Sequence, residues 1–231
     1  MVTHLHRLTA SLMFTALLGT IVAASRPAHA QEIPIANYSF EADRTSTYTY
    51  PLITDWVVVS GGGNTEGTVS NLWWSGNPYG QHLDPAPDGT QMAFLQAGTD
   101  IYQDVSANLA AGTYTLTAWF GEFTTETSVS GNVELLTTSG QLLADTGVVS
   151  TATTGVWQQF TVQYVATGGN SYLGDGLRVE LVGDTNQMQF DDIQLDFAPS
   201  GASRTPEPGS LALLAGAGLA TFRVLKCKRN R

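Results

Sequence analysis

The sequence predicts an all-β domain, an antiparallel β-sandwich of the jelly-roll type, between two end segments that do not belong to the fold. Stretches rich in Val, Thr, Tyr, Phe and Trp alternate with clusters of Gly, Asn, Asp and Pro throughout residues 31–198. The same region shows no amphipathic helical pattern. Its short predicted strands recur at fairly even spacing, which is typical of a two-sheet sandwich.

Residues 1–30 have the pattern of a secretory signal peptide. Arg7 precedes an apolar stretch, residues 8–24, and Ala28 and Ala30 frame a small-x-small cleavage site. The apolar stretch is shorter than the ~20 residues that a membrane span needs, so an uncleaved anchor is the less favoured alternative. We therefore expect export and cleavage by signal peptidase.

The charge of the chain excludes one class of partner. The 231 residues carry a net charge of −10, but residues 31–198 hold 19 acidic residues against only two basic ones, Arg44 and Arg178, which is a net −17. Nucleic-acid binding through phosphate contacts needs Lys and Arg, so we expect no nucleic-acid partner. So acidic a surface suits a solvated extracellular location and attracts divalent cations.

Cysteine and histidine usage narrows the chemistry further. The one cysteine, Cys227, lies in the basic tail, so residues 31–198 have neither a disulfide nor thiol chemistry. The one histidine of that region is His82. A His-rich zinc site is therefore excluded, and a Ser-His-Asp triad would have to use His82.

Seven strands are predicted after residue 90. The clearest contains Tyr114, Leu116, Ala118 and Phe120 in alternation with polar threonines, which indicates one face turned inward. The predicted strands are residues 91–95, 101–105, 113–120, 132–137, 156–165, 177–182 and 187–197. Three tryptophans are expected to be buried in the core of the sandwich. They are Trp56, Trp119 and Trp157.

Residues 60–88 are predicted to form a long irregular loop that carries exposed aromatic rings. Loops of this length are often functional. Trp73 and Trp74 are adjacent and cannot both point inward if the stretch is extended, so at least one is expected to be exposed. Aromatic faces can stack on sugar rings, while amide and carboxylate groups bind sugar hydroxyls. The predicted ligand-binding residues are Trp73, Trp74, Tyr79 and Asn77, with Gln81, Asp84 and Trp119 as further candidates.

The C-terminal tail follows a predicted linker, residues 199–205. Pro206, Glu207 and Pro208 precede an apolar run, residues 211–222, and a terminal cluster of Arg and Lys. The run is only marginally long enough for a transmembrane helix. The positive charge after it favours a cytoplasmic C-terminus.

The tail resembles the PEP-CTERM sorting signal of Gram-negative bacteria, because it combines the Pro-Glu-Pro motif, the apolar run and the terminal basic cluster in this order. The resemblance implies processing by the membrane transpeptidase exosortase near Pro206, Glu207 and Pro208. It also implies an inner-membrane intermediate that is then released to, or attached at, the cell surface. An ordinary C-terminal anchor is the alternative.

Two short stretches bracket the domain. Residues 35–41 contain Asn-Tyr-Ser-Phe-Glu, and residues 190–195 contain Phe-Asp-Asp-Ile. Together they resemble the first and last strands of galactose-binding-like β-sandwiches, which include many carbohydrate-binding modules. The resemblance implies that these two strands are neighbours, and that a glutamate after the first and an aspartate on the last help to hold a structural calcium.

The residue types agree with a calcium site. Calcium takes about six to eight oxygen ligands, which carboxylates and main-chain carbonyls supply. On an unbroken strand Asp191 shares one face with Ile193 and Leu195, where a carboxylate needs a compensating cation. Solvated acids at strand ends are the alternative. The predicted metal ligands are Glu41 and Asp191, with Asn37 and Asp192 as weaker candidates.

The middle of the chain adds a second resemblance. The stretches 87–95, 101–105 and 112–116 resemble a pattern shared by PEP-CTERM sandwich proteins and by the calcium-dependent Stig cyclases of cyanobacteria. Those enzymes rearrange and cyclise indole-isonitrile terpenoids, using an aspartate on a concave face as the acid and aromatic side chains as pocket walls. The resemblance implies Asp192 as the acid here, with Phe94 and Phe120 as walls.

Three functions therefore stay open from the sequence. The favoured one is an exported, calcium-stabilised module that binds carbohydrate or an exopolysaccharide matrix, without catalysis. The first alternative is a Stig-type cyclase, in which an apolar pocket raises the pKa of an aspartate so that it donates a proton. The second is a structural surface protein without a small ligand. A glycosidase is least favoured, because nothing in the sequence places two acids across a cleft.

Overall fold

Two antiparallel sheets pack face to face in the computed structural model, which describes residues 30–60, 65–70 and 80–200. These residues belong to one compact unit, Ala28–Ala202. They contain strands and no helix, as predicted. The strands are β1 (Gln31–Ile33), β2 (Tyr48–Thr49), β3 (Val57–Ser60), β4 (Glu66–Ser70), β5 (Gln91–Gln96), β6 (Thr99–Asn108), β7 (Gly112–Gly121), β8 (Ser130–Thr137), β9 (Leu142–Asp145), β10 (Trp157–Ala166), β11 (Gly176–Thr185) and β12 (Gln187–Pro199).

The strand order defines two sheets of different size. Sheet 1 runs β10-β7-β12-β5-β4-β2, with β1 also paired to β12. Sheet 2 runs β3-β6-β11-β8-β9. The first and last strands are thus neighbours, paired antiparallel from Gln31 with Phe197 to Ile33 with Leu195. Both the all-β sandwich and this neighbourhood of the first and last strands were predicted.

The main core lies between the sheets and follows from alternation along the strands. On β7 of sheet 1, Tyr114 and Leu116 are buried while Thr115 between them is half exposed. On β11 of sheet 2, Val179 and Leu181 alternate in the same way. Each fully buried side chain of this size stabilises the fold by about 1.5–3 kcal/mol. Trp56 belongs to this core, as predicted.

All seven predicted strands are present, and five were missed. The missed strands are β1 to β4 and β9. Every residue of β4 is buried, so its sequence, Glu-Gly-Thr-Val-Ser, shows no alternation of polar and apolar residues. The residues of β9 are exposed or half buried, and its two half-buried apolar residues, Leu143 and Ala144, are adjacent, so the strand shows no alternation. Hydrophobic periodicity detects only strands that bury one face and expose the other, so it did not predict β4 and β9.

Several sequence predictions fall outside the described residues. They are the signal peptide, the apolar tail and the sorting motif of Pro206, Glu207 and Pro208. Within the described ranges, no helix is long and apolar enough to cross a membrane.

Candidate active site

An irregularity in β12 decides which way its acidic residues point. In the ladder between β12 and β7, Asp191 lies opposite Trp119, and the next registered pair is Gln194 with Thr117. Two residues of β12 therefore occupy the place of one residue of β7, which is a β-bulge. A bulge inverts the alternation of side chains along the strand beyond it.

The bulge places Asp191 on the outer face of sheet 1. Phe190 pairs with Phe120 and lies in the core, and Ile193 lies in the core on the far side of the bulge. Asp191, between them, shares the face of its partner Trp119. The expectation that Asp191 points with Ile193 and Leu195 is wrong, because it assumed an unbroken alternation.

A second apolar cluster covers this outer face. It includes Met92 and Phe94 of β5, and Leu83, which lies in the irregular segment 80–87. A Cβ atom added to Gly121 would lie 3.0 Å from both Leu83 Cδ2 and Trp157 Cε3, so these two side chains lie directly over Gly121. The outer face of sheet 1 is thus shielded from water at its centre.

Asp191 is enclosed by this shielding. Its side chain is fully buried, and its Oδ2 atom accepts a hydrogen bond from the main-chain N–H of Asp88 at 2.9 Å. Its Oδ1 atom has no hydrogen-bond partner among the described residues. Burial raises the pKa of Asp191 to about 8, against the opposing effect of the main-chain N–H groups of Asp88 and Asp192. Burial therefore favours the protonated form of this carboxyl group.

An open cleft of about 380 Å³ lies on the same face. Its walls are two tryptophans and a short proline-rich segment, and two carboxylates stand at its edge. The residues that line it are Asp84, Pro85, Pro87, Trp119, Val156, Trp157 and Asp192. Asp191 is not part of this lining, but it lies next to two residues that are, its cross-strand partner Trp119 and its chain neighbour Asp192.

Hydrogen bonds fix one wall of the cleft. The indole N–H of Trp157 donates to the carbonyl oxygen of Asp84 at 2.9 Å, and the N–H of Asp84 donates to the carbonyl of Gly155 at 2.9 Å. The Asp84 carboxylate lies 3.3 Å from Nε2 of His82. Trp119 and Trp157 are both half buried on the outer face, so the expectation that they lie in the core is wrong.

The residues that the cyclase resemblance implies are only partly brought together. Asp192 lines the cleft, in a left-handed backbone conformation with φ of 49°, and its Oδ1 accepts a hydrogen bond from Gln194 at 2.7 Å. Phe94 lies on the outer face, opposite Gln189. Phe120 is buried in the core, with its ring centroid 4.8 Å from that of Phe190, so it is not a wall of the cleft.

Glu41 contacts the same loop as Asp191. Its Oε1 accepts hydrogen bonds from the main-chain N–H groups of Thr90 and Gln91. Its Oε2 lies 3.5 Å from Thr90 Oγ1 and 4.0 Å from Nε of Arg44. Two predicted metal ligands, Glu41 and Asp191, thus converge on the loop between β4 and β5 and accept its N–H groups.

Asn37 makes a separate set of contacts. Its Nδ2 donates to the carbonyl of Thr54 at 2.9 Å and lies 3.4 Å from Oδ2 of Asp43. Its Oδ1 accepts from the N–H of Ala42 at 3.0 Å. In the part of the chain that the structure describes, no three His, Cys, Asp or Glu side chains are grouped as a metal site. The calcium site at Glu41, Asp191 and Asn37 therefore stays a prediction.

Of the predicted carbohydrate-binding residues, the further candidates Asp84 and Trp119 line the cleft and Gln81 is described, whereas the four main ones lie outside the described residues. They are Trp73, Trp74, Asn77 and Tyr79.

The sequence held a signal for one wall of the cleft. Trp119 stands between Ala118 and Phe120, both of which alternation turns inward, so the same pattern predicts that Trp119 faces outward. Trp157 and Asp84 meet through a loop contact across 73 positions, which leaves no local signal. The outward position of Asp191 depends on a bulge that periodicity does not encode.

Comparisons with known proteins point to one group. A family model described as HpiC1-like, HpiC1 cyclase, matches residues 31–196. The Stig cyclase Fisc from Fischerella sp. TAU, in complex with (3Z)-3-(1-methyl-2-pyrrolidinylidene)-3H-indole, is 23% identical with a TM-score of 0.63, over 74% of this chain and 99% of that chain. A cyclase from Fischerella sp. TAU in complex with 4-(1H-indol-3-yl)butan-2-one gives 23% identity and a TM-score of 0.64, over 75% and 100%.

An apo cyclase from Fischerella sp. is similar to the same degree, with 22% identity and a TM-score of 0.63 over 75% of this chain and 98% of that chain. These likenesses show a shared fold. Among curated proteins, none matches the sequence significantly. The family match spans the whole sandwich and favours the cyclase alternative over the carbohydrate-binding interpretation. The chain belongs to the HpiC1-like family of Stig cyclases.

Proposed function

We propose that the protein is a cyclase that uses Asp191 as a proton donor to rearrange and cyclise an indole-bearing terpenoid substrate. The observation that carries the proposal is the position of Asp191, which is buried beside the cleft with one carboxyl oxygen unpartnered among the described residues. A carboxylic acid kept neutral in an apolar site is suited to donate a proton at neutral pH.

The proposed reaction is an isomerisation in which atoms and charge balance. The O–H bond of Asp191 breaks, and its proton forms a new C–H bond at an alkene carbon of the substrate. The π electrons of the aromatic ring or of a second alkene then attack the resulting carbocation and form a C–C bond. Loss of a proton from the substrate to the Asp191 carboxylate closes the cycle.

The cleft offers several ways to stabilise positive charge on the substrate. Trp119 and Trp157 line the cleft, and the face of an indole ring attracts a cation by about 0.5–2 kcal/mol. Asp84 and Asp192 add two carboxylates at the edge. Both arginines of the described residues are engaged elsewhere, Arg178 with Asp104 and Arg44 near Glu41. The site is therefore electrostatically matched to a cationic transition state.

The experiment is an assay of the protein with an indole-isonitrile terpenoid, in which isomeric products of unchanged mass are separated by chromatography. We expect turnover by the wild-type protein and a loss of about 100-fold or more in Asp191→Asn, which keeps the shape of the side chain but has no acidic proton. Asp196→Asn, four residues from Asp192 on the same strand, is the matched control and should keep the wild-type rate.

Asp192→Asn separates the two candidate acids. Because Asp192 lines the cleft, we expect its replacement to lower the rate less than Asp191→Asn does. The reverse order would move the proton donor to Asp192, as the sequence predicted. No turnover of any indole terpenoid by a folded wild-type protein would end the cyclase proposal.

We further propose that calcium stabilises the junction of the Glu41 turn with the loop between β4 and β5. The donors present fit this ion in kind, because the Oε2 atom of Glu41 has only long contacts, 3.5 Å to Thr90 Oγ1 and 4.0 Å to Arg44 Nε, and main-chain carbonyls can complete the shell. Calcium there would supply structural stability and take no part in proton transfer. Thermal unfolding with calcium and with a chelator should show a higher Tm with calcium in the wild type but not in Glu41→Gln.

Export and sorting are proposals that rest on the sequence. The signal-peptide pattern of residues 1–30 and the motif of Pro206, Glu207 and Pro208 support secretion, processing by exosortase and a final place at or beyond the cell surface. Mass spectrometry of the mature protein from an exosortase-bearing host tests both ends. An intact N-terminus and an intact C-terminus would contradict the proposal.

A further inference from the structure

Unpartnered polar atoms are concentrated beneath the apolar cover of sheet 1. Four buried side-chain polar atoms have no hydrogen-bond partner among the described residues, and three of them belong to Gln189 and Asp191. Both side chains are fully buried. Because a buried polar group without a partner costs about 1–3 kcal/mol, nearly all such groups in folded proteins are paired. Both polar atoms of the Gln189 amide, Oε1 and Nε2, are unpartnered, so exchanging their positions by turning the amide group does not give either a hydrogen bond.

The two side chains stand next to each other on β12. They are two positions apart on the same strand, before the bulge, and therefore share the outer face. Across the ladders, Gln189 lies between Gly121 of β7 and Phe94 of β5. The Gln189 amide is thus flanked by an aromatic ring on one side and by a residue without a side chain on the other.

The cover over Gln189 is apolar and belongs partly to an irregular segment. Leu83 and Trp157 lie directly over Gly121, and neither offers a hydrogen bond to the Gln189 amide there, because the indole N–H of Trp157 is donated to Asp84. Trp157 also lines the cleft. Leu83 and Gln189 are not among the residues that line the cleft, so a ligand in the cleft would reach the amide by displacing the Leu83 side chain.

We propose that Gln189 is a substrate-binding residue whose side-chain carbonyl accepts a hydrogen bond from the N–H of an indole ring. The inference rests on the proposed function, since the indole is the substrate part that offers one N–H donor on a flat apolar body. The ring lies between Phe94 and Trp157, in the place that Leu83 now fills. The same position brings the rest of the substrate beside Asp191.

The experiment compares two probes of nearly equal shape, indole and benzofuran, by NMR titration of the isotope-labelled full chain. Benzofuran has an oxygen where indole has the N–H. We expect wild-type protein to bind indole about tenfold more tightly, as for one well-formed buried hydrogen bond. Gln189→Met keeps the length of the side chain without its polar atoms, so it should bind both probes equally. Gln187→Met, two residues earlier and half exposed, is the control and should keep the preference.

A stability measurement separates a binding role from a structural one. If the Gln189 amide has no partner in the free protein, Gln189→Met should raise the Tm, because an apolar group replaces an unsatisfied polar one. A lower Tm, or an unchanged preference for indole in Gln189→Met, would overturn the role of Gln189 and leave the cyclase proposal intact. Binding of neither probe to the wild-type cleft would overturn both.

Discussion

Asp191 lies directly opposite Trp119 across the β12–β7 ladder, and Trp119 lines the cleft. The core residues that flank Asp191 in β12, Phe190 and Ile193, both face inward. A single additional residue in β12 produces this arrangement. Without the bulge, regular alternation would place either the Asp191 carboxyl group in the core or one of the two apolar side chains, Phe190 or Ile193, on the outer face. The bulge thus places an acid in an apolar site while the strand keeps its core contacts.

The buried carboxyl group makes stability depend on pH. In the folded protein burial raises the pKa of Asp191 to about 8, whereas in the unfolded chain it returns to the ordinary value of 3.8. Between these two values only the folded state holds the proton. The stabilisation that the protonated Asp191 carboxyl group gives is therefore complete below pH 3.8. As the pH rises from 3.8 towards 8, the free energy of unfolding falls by up to about 1.4 kcal/mol per pH unit.

Asp191→Asn should remove this dependence, because asparagine resembles the protonated carboxyl group and accepts the same hydrogen bond from Asp88. We expect the variant to be more stable than the wild type at pH 8 and to show a smaller decline in the free energy of unfolding from pH 5 to pH 8. Urea unfolding at intervals across this range measures both. An identical slope in the two proteins would show that Asp191 is not the titrating group.

The loop contacted by Glu41 gives a prediction with an internal control. Gly89 has φ of +72°, and a Cβ atom there would lie 2.3 Å from Oε1 of Glu41. Gly98 has φ of +74°, but a Cβ atom there would meet nothing within 4 Å. Both alanine variants carry the backbone strain of about 1–2 kcal/mol, and only Gly89→Ala also displaces the Glu41 carboxylate.

We therefore expect Gly98→Ala to lower the free energy of unfolding by about 1 kcal/mol and Gly89→Ala to lower it by about 2 kcal/mol more, the cost of losing hydrogen bonds to a charged group. Chemical unfolding at neutral pH measures the difference. Equal losses in the two variants would mean that the Glu41 contact contributes nothing to stability.

The fold was predictable where strands bury one face. The alternation in β7 was sufficient to locate the strand within one residue at each end, 113–120 against Gly112–Gly121. It was insufficient for β4, whose residues are all buried. Hydrophobic periodicity reports the contrast between two faces, so a strand covered on both faces has no such signal.

The site was predictable in its residues but not in their roles. Glu41 and Asp191 were predicted as metal ligands from the resemblance to galactose-binding-like sandwiches, and for Asp191 also because a carboxylate among apolar residues needs compensation, yet the structure gives each of them main-chain N–H donors. A metal ion and an N–H group satisfy a carboxylate oxygen alike, so residue types alone do not distinguish them. The meeting of Trp157, at the start of β10, with Asp84 depends on how the irregular segment 80–87 folds over sheet 1, which no local pattern records.

A row of carboxylates crosses the outer face of sheet 2. Glu134 of β8 lies directly between Glu180 of β11 and Asp145 of β9. Burial raises the pKa of Glu134, and the charges of Glu180, Asp145 and Asp100 raise it further. Like charges directly opposite one another weaken a sheet. Glu134→Gln should therefore stabilise the protein at pH 7 by about 0.5 kcal/mol, and the gain should shrink as the pH falls and Glu134 becomes protonated.

A double-mutant cycle with Glu180→Gln tests the origin of this gain. Each single substitution removes the same repulsion, so the double variant should gain less than the sum of the two single gains. Urea unfolding of the four proteins at pH 7 gives the coupling free energy. Additive gains would show that the two carboxylates do not interact across the ladder.

The pKa of Asp191 should depend on the cover that Leu83 provides. Leu83 is 4% exposed in the outer cluster, and Leu109 is 2% exposed in the main core between the sheets. Replacing either residue by alanine should destabilise the protein by about 2–5 kcal/mol. Only Leu83→Ala should admit water to the outer face and lower the pKa of Asp191 towards its ordinary range, because burial is the main cause of its elevation. The carboxyl carbon resonance of Asp191, followed by NMR over pH, reports this directly. An equal pKa in the two variants would mean that Leu83 does not shield the acid, and the route from the cleft to Asp191 would have to lie elsewhere.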